Sequence, residues 1–293
     1  MATDLPSYTN DSFKYTLPPN PSFHYGQSVD STPQGKEWVE GEKDGWKVID
    51  TSKEDPLKVV RKLIVLNAPS VFSFWGGIVS SHDQRNHSSS SGIRLLNCGR
   101  RNGEPRLIQV SAYPPVVSVS VSNHPNKGFT NKDTSRNIKA TKQFTVNIIS
   151  EAWVANANVC SIDTPPEVSE WPISGLTKEP SLHVKPARVK ESAFSMECEL
   201  FQVHDIVHPS NGLATTVLIL GHVKYIHVRK DMLNERGNVD PGKLKPVGRL
   251  GDILFASVGG GYRIPRPVWK DESEKVLAVN KEKDASGKAE SNL

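Results

Sequence analysis

Cysteine is scarce in this chain: Cys98, Cys160 and Cys198 are the three that 293 residues contain. Thiols so few and so far apart give neither a disulfide framework nor a zinc-binding spacing. Reduced cysteines, at least two of them buried, are the expectation. Long apolar runs are also missing. None approaches the ~20 residues that a membrane-spanning helix needs, and the longest, around Ala214–Leu220, reads as a buried strand. The opening MATDLPSYTNDSFKY has neither the basic nor the apolar region of a secretory leader. A cytoplasmic protein with no membrane partner is therefore expected. Charge is nearly balanced, at a formal +4. That suits attraction to small anions but provides no basic stripe for nucleic acid.

Hydrophobic residues make up 36% of the chain, which points to polar ends around an ordinary core. Residues 1–46 are rich in Pro, Ser, Asn, Gly and Asp, and Pro18, Pro19 and Pro21 exclude a regular helix or central strand there. The expectation is an extended, largely disordered N-terminal arm over 1–46, its end pinned by Trp38 and Trp46. Residues 270–293 read as a polar, solvated tail with room for a short helix. The span 47–269 is left as one domain.

The pattern in that domain is mainly β. In Val116–Val121, Val117, Val119 and Val121 point one way and Ser118 and Ser120 the other. Gln143–Ile149 alternates again, with Phe144, Val146 and Ile148 on one face. Cys198–Val203, Thr215–Val228, Leu250–Ala256 and Tyr262–Ile264 are further strand candidates. Asp133–Ala140 and Ser150–Val159 read as helices. Many short strands between Pro and Gly turns imply a barrel or sandwich with a few helices. Residues 75–108 fit poorly: they are polar and irregular, and a structureless stretch of that length is unusual inside a domain.

The segment richest in chemistry is Asn131–Asn137, Asn-Lys-Asp-Thr-Ser-Arg-Asn. Asp133 and Thr134 are N-cap residue types just ahead of a short helix. A helix start offers unpaired N–H groups and the positive end of the dipole. Lys132, Arg136 and the Thr134 hydroxyl add donors, which together suit a phosphate monoester. An ordinary capped helix with surface charges is the competing reading.

The order of segments around this turn resembles the flavin-reductase-like, FMN-binding split-barrel family. The resemblance rests on Pro114-Pro115 leading into a strand, then Lys132-Asp133-Thr134 with Asn137, then a strand ending near Asn147. It continues through Ser169-Glu170-Trp171, Ser174-Gly175-Leu176, Glu191-Ser192, Glu197-Cys198, Gly221-His222-Val223, Pro246–Gly251 and Pro265-Arg266-Pro267. It spans roughly 56–269 and looks closest to fungal members. The resemblance implies an antiparallel Greek-key split β-barrel, mainly β with a few added helices, that forms a homodimer and binds FMN. It implies a flavin-reductase-like oxidoreductase, with NADH or NADPH as electron donor and free flavin or a small organic molecule as substrate. Lys132, Asp133 and Thr134 would then hold the phosphate and Asn137 would support the turn. Ser118, Ser120, Ser80 and Ser81 would line the pocket, and Arg249 would be a second anion contact or a salt-bridged turn residue. Catalysis would belong mainly to the cofactor, with no side-chain nucleophile or general base required. A β-barrel that binds a phosphorylated ligand or a protein partner without turnover is the rival.

The family's ring-side segment departs here. Val71–Ser81 best matches its first strand and Ser91-Gly92-Ile93-Arg94 its glycine turn, but Leu95–Arg100 stands where the family's next motif belongs. A translated intron, a frameshift or divergence within 69–108 is the reading this supports, and it puts FMN affinity in question. Elsewhere, His204 with His208 and His222 with His227 read as strand-surface histidines rather than metal ligands. Gly259-Gly260-Gly261 is not a phosphate loop, since no Lys-Ser/Thr follows. Ser88–Ser91 is low-complexity loop rather than a nucleophile. Trp153 and Trp171 suit core packing better than ring stacking.

Overall fold

The computed structural model describes residues 14–53, 77–82, 91–95, 107–111, 113–122, 132–162, 164–165, 168–251, 253–261 and 266–290. The chain divides into a large unit, Met1–Gly259, and a small one, Gly260–Leu293. The large unit opens with helix α1 (Pro33–Glu40) and strand β1 (Trp46–Asp50). Strands β2 (Gly77–His82), β3 (Ser91–Leu95), β4 (Leu107–Ser111) and β5 (Val116–Ser122) follow. Helix α2 (Asp133–Thr141) leads into β6 (Gln143–Ile148), the single turn Glu151–Trp153, and helices α3 (Val154–Val159) and α4 (Glu170–Ser174). The remainder is β7 (Lys178–Glu179), β8 (Arg188–Val189), β9 (Phe194–Val207), β10 (Ala214–Arg229), α5 (Pro241–Leu244), β11 (Val247–Gly251) and β12 (Leu254–Ser257). The small unit holds α6 (Trp269–Glu290).

Among the described residues, eight strands form one antiparallel sheet in the order β3-β2-β6-β9-β10-β5-β4, with β1 also on β10. β10 is its spine. One edge pairs with β9; the other pairs with β5 along Thr216–His222 and with β1 along Tyr225–Arg229. The valines of β5 and the Phe144, Val146 and Ile148 face of β6 lie in the core, as the alternation predicts. The opposite faces are covered too: Ser118, Thr145 and Asn147 are buried. Close packing across the sheet needs Gly221, because a Cβ there would sit 2.4 Å from Cζ of Phe144.

Several expectations need correction. The segment expected as an extended arm contains α1, entered by a cap that the sequence does encode. Thr32 Oγ1 accepts the Gly35 N–H at 3.0 Å and Pro33 occupies the first helical turn. Trp38 does pin this segment: it is buried, and its indole N–H donates to the Glu191 carbonyl at 2.9 Å. The stretch expected to lose β pattern carries β2, β3 and β4. In particular, Ser91–Arg94 is strand, not turn, because Gly92 and Ile93 pair with Ser81 and Ser80. Leu250–Ala256 is not one strand but the β11–β12 hairpin. The tail forms a 22-residue helix, longer than expected. Cys98 and Tyr262–Ile264 lie outside the described residues.

Candidate functional site

Lys132–Asn137 opens α2 as expected, with one shift of register; Asn131 lies outside the described residues. Lys132, not Asp133 or Thr134, is the N-cap residue, and no side chain caps the helix. Helix geometry leaves the first-turn N–H groups of Thr134 and Ser135 without an intrahelical acceptor. Asp133, in the first turn, pairs with the Arg136 guanidinium one turn on, which commits that cation locally. The Lys132 ammonium forms no ion pair among the described residues. Thr134 and Asn137 are buried, Ser135 is fully buried, and the Ser135 hydroxyl donates to the Lys132 carbonyl at 2.9 Å. A helix start with no side-chain cap, an ammonium and a buried hydroxyl are the donor set a phosphate requires. These residues therefore fit the phosphate end of FMN.

α2 packs against β2, the strand of Ser80 and Ser81. Ser80 pairs with Thr145 of β6 on one side and Ile93 of β3 on the other. The other expected site residues sit further off in the strand order. Ser118 and Ser120 lie on β5, opposite Leu220 and Leu218 of β10, and the order places β6, β9 and β10 between β5 and β2. Arg249 belongs to the separate β11–β12 hairpin, where its guanidinium stacks on Phe255 at 4.5 Å. That contact gives the arginine a local packing role.

The densest polar cluster was not foreseen as chemistry, although its residues stand in the Glu-Ser and Glu-Cys motifs. Glu197 is fully buried. Its carboxylate accepts the N–H groups of Leu182 at 2.8 Å, His183 at 2.7 Å and Val184 at 3.1 Å, and contacts His227 Nε2 at 2.6 Å. Burial pushes this acid upward, but the His227 bond and the three backbone donors outweigh it and hold it at about 2. Burial also lowers His227, so the imidazole is neutral at pH 7 and donates through its Nε2–H. His227 is thus a core residue, not a strand-surface one. Arg188 lies nearby, its guanidinium reaching Ser195 Oγ and the Pro180 carbonyl at 3.3 Å each. Asn147 is equally structural: its Oδ1 accepts the Val189 N–H at 2.9 Å and joins β6 to β8. The neighbouring Cys198 thiol is pushed up by burial and then by the Glu197 charge, which removes it as a nucleophile near neutral pH.

Glu191 behaves oppositely. Burial raises its carboxyl even though both oxygens accept the Thr177 N–H at 3.1 Å. A raised acid stabilises the fold at low pH and loses that contribution as pH climbs through the raised value. Glu191→Gln is therefore expected to match or exceed the wild-type melting temperature at pH 8, by about 1 kcal/mol or less, and to lose any advantage near pH 4. Thermal melts across that range check the sign.

Comparison with known proteins identifies the fold and the family. The family model described as flavin reductase like domain matches residues 106–245, a stretch narrower than the 56–269 over which the motifs run. An uncharacterised protein of Aquifex aeolicus is 36% identical over 155 residues, covering 53% of this chain and 74% of that protein. The fold resembles nitrilotriacetate monooxygenase component B from Bacillus cereus, with a TM-score of 0.56 and 24% identity over 74% of this chain and 97% of that one. It also resembles a flavin-reductase candidate with a split barrel domain from Shewanella frigidimarina, with a TM-score of 0.54 and 18% identity over 74% and 96% of the two chains. The chain is an antiparallel split barrel with added helices, and it belongs to the flavin reductase like domain family. These relatives are bacterial, so the expected closeness to fungal members has no support. Among the described residues, no helix is long and apolar enough to cross a membrane.

Proposed function

We propose that this protein is an FMN-dependent oxidoreductase of the flavin-reductase-like kind, taking electrons from NADH or NADPH. The observation that carries the reading is the start of α2 within the family-matched segment, which no side chain caps and which opens with Lys132 at the N-cap and a buried Thr134 in the first turn. Lys132 and Thr134 bind the phosphate, and the helix dipole favours its double charge. Asp133 keeps Arg136 on the helix surface, and Asn137 supports the turn. Ser80 and Ser81 belong to the strand beneath α2 and line the pocket, with Ser118 and Ser120 on a more distant wall. FMN, when bound, supplies a ring that accepts and returns a hydride. The protein positions that ring and excludes water.

A homodimer is part of the proposal. Past its pairing with β6, β9 and the turn that follows expose Phe201, Ile206, Val207 and Leu213, and apolar residues on an uncovered strand edge invite a partner. A second copy would cover it, and sedimentation of the purified protein reads the state directly. For the cofactor, the purified protein should be yellow and should bleach when a nicotinamide donor is added. Lys132→Ala should weaken FMN binding by about 1–3 kcal/mol, the scale of a charge-assisted hydrogen bond. A colourless protein that cannot be loaded with FMN would favour a ligand-binding barrel without turnover.

A further inference from the structure

Residues 20–31 lie outside the family-matched segment, yet they are bound tightly to α3 and α4. The Gly26 N–H donates to the Ile173 carbonyl at 2.7 Å. Asn156, on α3 and 3% exposed, places both hydrogens of its amide between two chain segments. One goes to the Gln27 carbonyl at 2.7 Å, the other to the Ser174 carbonyl at 2.8 Å. The approach is close enough to dictate sequence. Gly175, just past α4, has φ +66°, and a Cβ there would stand 2.1 Å from the Gln27 carbonyl oxygen. No side chain fits between the two backbones, and the left-handed angle itself favours glycine.

The next contact leads toward the candidate site. α4 packs beside β3, and β3 pairs with β2 from Ile78 to His82. Adjacent strands lie ~4.8 Å apart, so a displacement of α4 is felt at Ser80 and Ser81 within about 10 Å. α4 itself is five residues long, far too short to hold its place by helix propensity. Its position is set by what clamps it. On the inner side that is Trp171, 5% exposed, and on the outer side the 20–31 segment.

We propose that residues 20–31 are a strap that fixes α4 and thereby shapes the ring-side wall of the flavin pocket, with Asn156 as the positioning residue that joins strap to helix. This rests on the FMN reading above. Among the described residues, no hydrogen bond or ion pair joins the strap to Lys132, so the strap acts on the ring end and leaves the phosphate end alone. Its removal therefore weakens every flavin alike, whereas the phosphate cradle distinguishes FMN from riboflavin.

The test measures FMN and riboflavin affinities, with the visible circular dichroism of the bound flavin, for full-length wild type, Asn156→Ala, Gly26→Ala and Lys132→Ala. Asn156→Ala should weaken both flavins by the same factor, about fivefold, and alter the flavin dichroism. Gly26→Ala, which strains the φ +79° turn while its Cβ finds ordinary contact at 3.4 Å, should do the same to a smaller extent. It decides the matter if Asn156→Ala does not fold. Lys132→Ala should weaken FMN and spare riboflavin. Unchanged affinities and dichroism in the strap variants would overturn the strap's role, as would a loss confined to FMN. Wild-type protein that binds neither flavin would instead overturn the cofactor reading on which it rests.

Discussion

Glu197→Ala is expected to destabilise the protein by about 3–5 kcal/mol, the cost of removing one partner from a buried, hydrogen-bonded charge cluster. The carboxylate closes the Leu182–Val184 turn through three consecutive N–H groups and takes a fourth bond from His227. Alanine leaves four donors without this acceptor, those of Val184 and His227 in buried residues, and Arg188 keeps Glu179 but loses a second negative charge. Glu197→Gln keeps the shape but replaces one acceptor oxygen with a donor, so it should cost less than alanine and still lower the melting temperature. The pH dependence separates charge from volume. Glu197 titrates at about 2 when folded, against an ordinary value of 4.5. Its contribution is complete above the unfolded value and is lost as pH falls from 4.5 through about 2. Wild-type stability should therefore fall in that window more steeply than that of the glutamine variant. Equal slopes in denaturant titrations at pH 2.5 and 5 would show that the charge is not what holds the turn.

Trp38→Ala is expected to cost a comparable amount, about 3–5 kcal/mol, although the residue stands far outside the family-matched segment. Its indole is buried beneath the Arg229 guanidinium at 4.4 Å, its N–H donates to Glu191, and its own carbonyl accepts from Arg229 Nη1 at 2.8 Å. Arg229 is in turn held by both oxygens of Asp231 at 2.8 Å. Removing the ring opens a cavity and uncovers a buried cation together. Trp38→Phe keeps most of the volume and should cost about 1–2 kcal/mol, chiefly the lost hydrogen bond. Chemical denaturation of the two variants gives the ratio. A Trp38→Ala cost below 1 kcal/mol would mean that α1 is only loosely docked.

What the sequence revealed follows the range of the forces involved. β5 and β6 were legible because side-chain alternation is local, β10 because its apolar run is nearly continuous, and α2 because cap-type residues stand at its start. β2 and β3 were not. Gly77–His82 and Ser91–Leu95 interrupt short apolar stretches with glycine and serine, and pairing of β2 with β6 and of β3 with β2 completes them as strands. α1 had a readable start in Thr32-Pro33, masked by the surrounding Pro, Ser and Gly composition. Its anchors, Glu191 and Arg229, are remote in sequence and invisible to any local pattern. At the candidate site the residue types that suit a phosphate were legible, whereas the cap shifted by one residue to Lys132. Glu197, His227 and Asn156 went unread as polar hubs because nothing in the sequence announces which buried group will meet which backbone.

The bond between Trp38 and Glu191 joins residues 153 apart in the chain. At ribosomal speeds of about 5–20 residues per second, the tryptophan emerges roughly 8–30 s before its acceptor exists. Throughout that interval an aromatic segment awaits a dock that has yet to be translated. The N-terminal helix is therefore among the last parts to settle and among the most exposed to chaperones and proteases during biosynthesis. Substitutions there should reduce yield in the cell more than equilibrium stability alone would forecast.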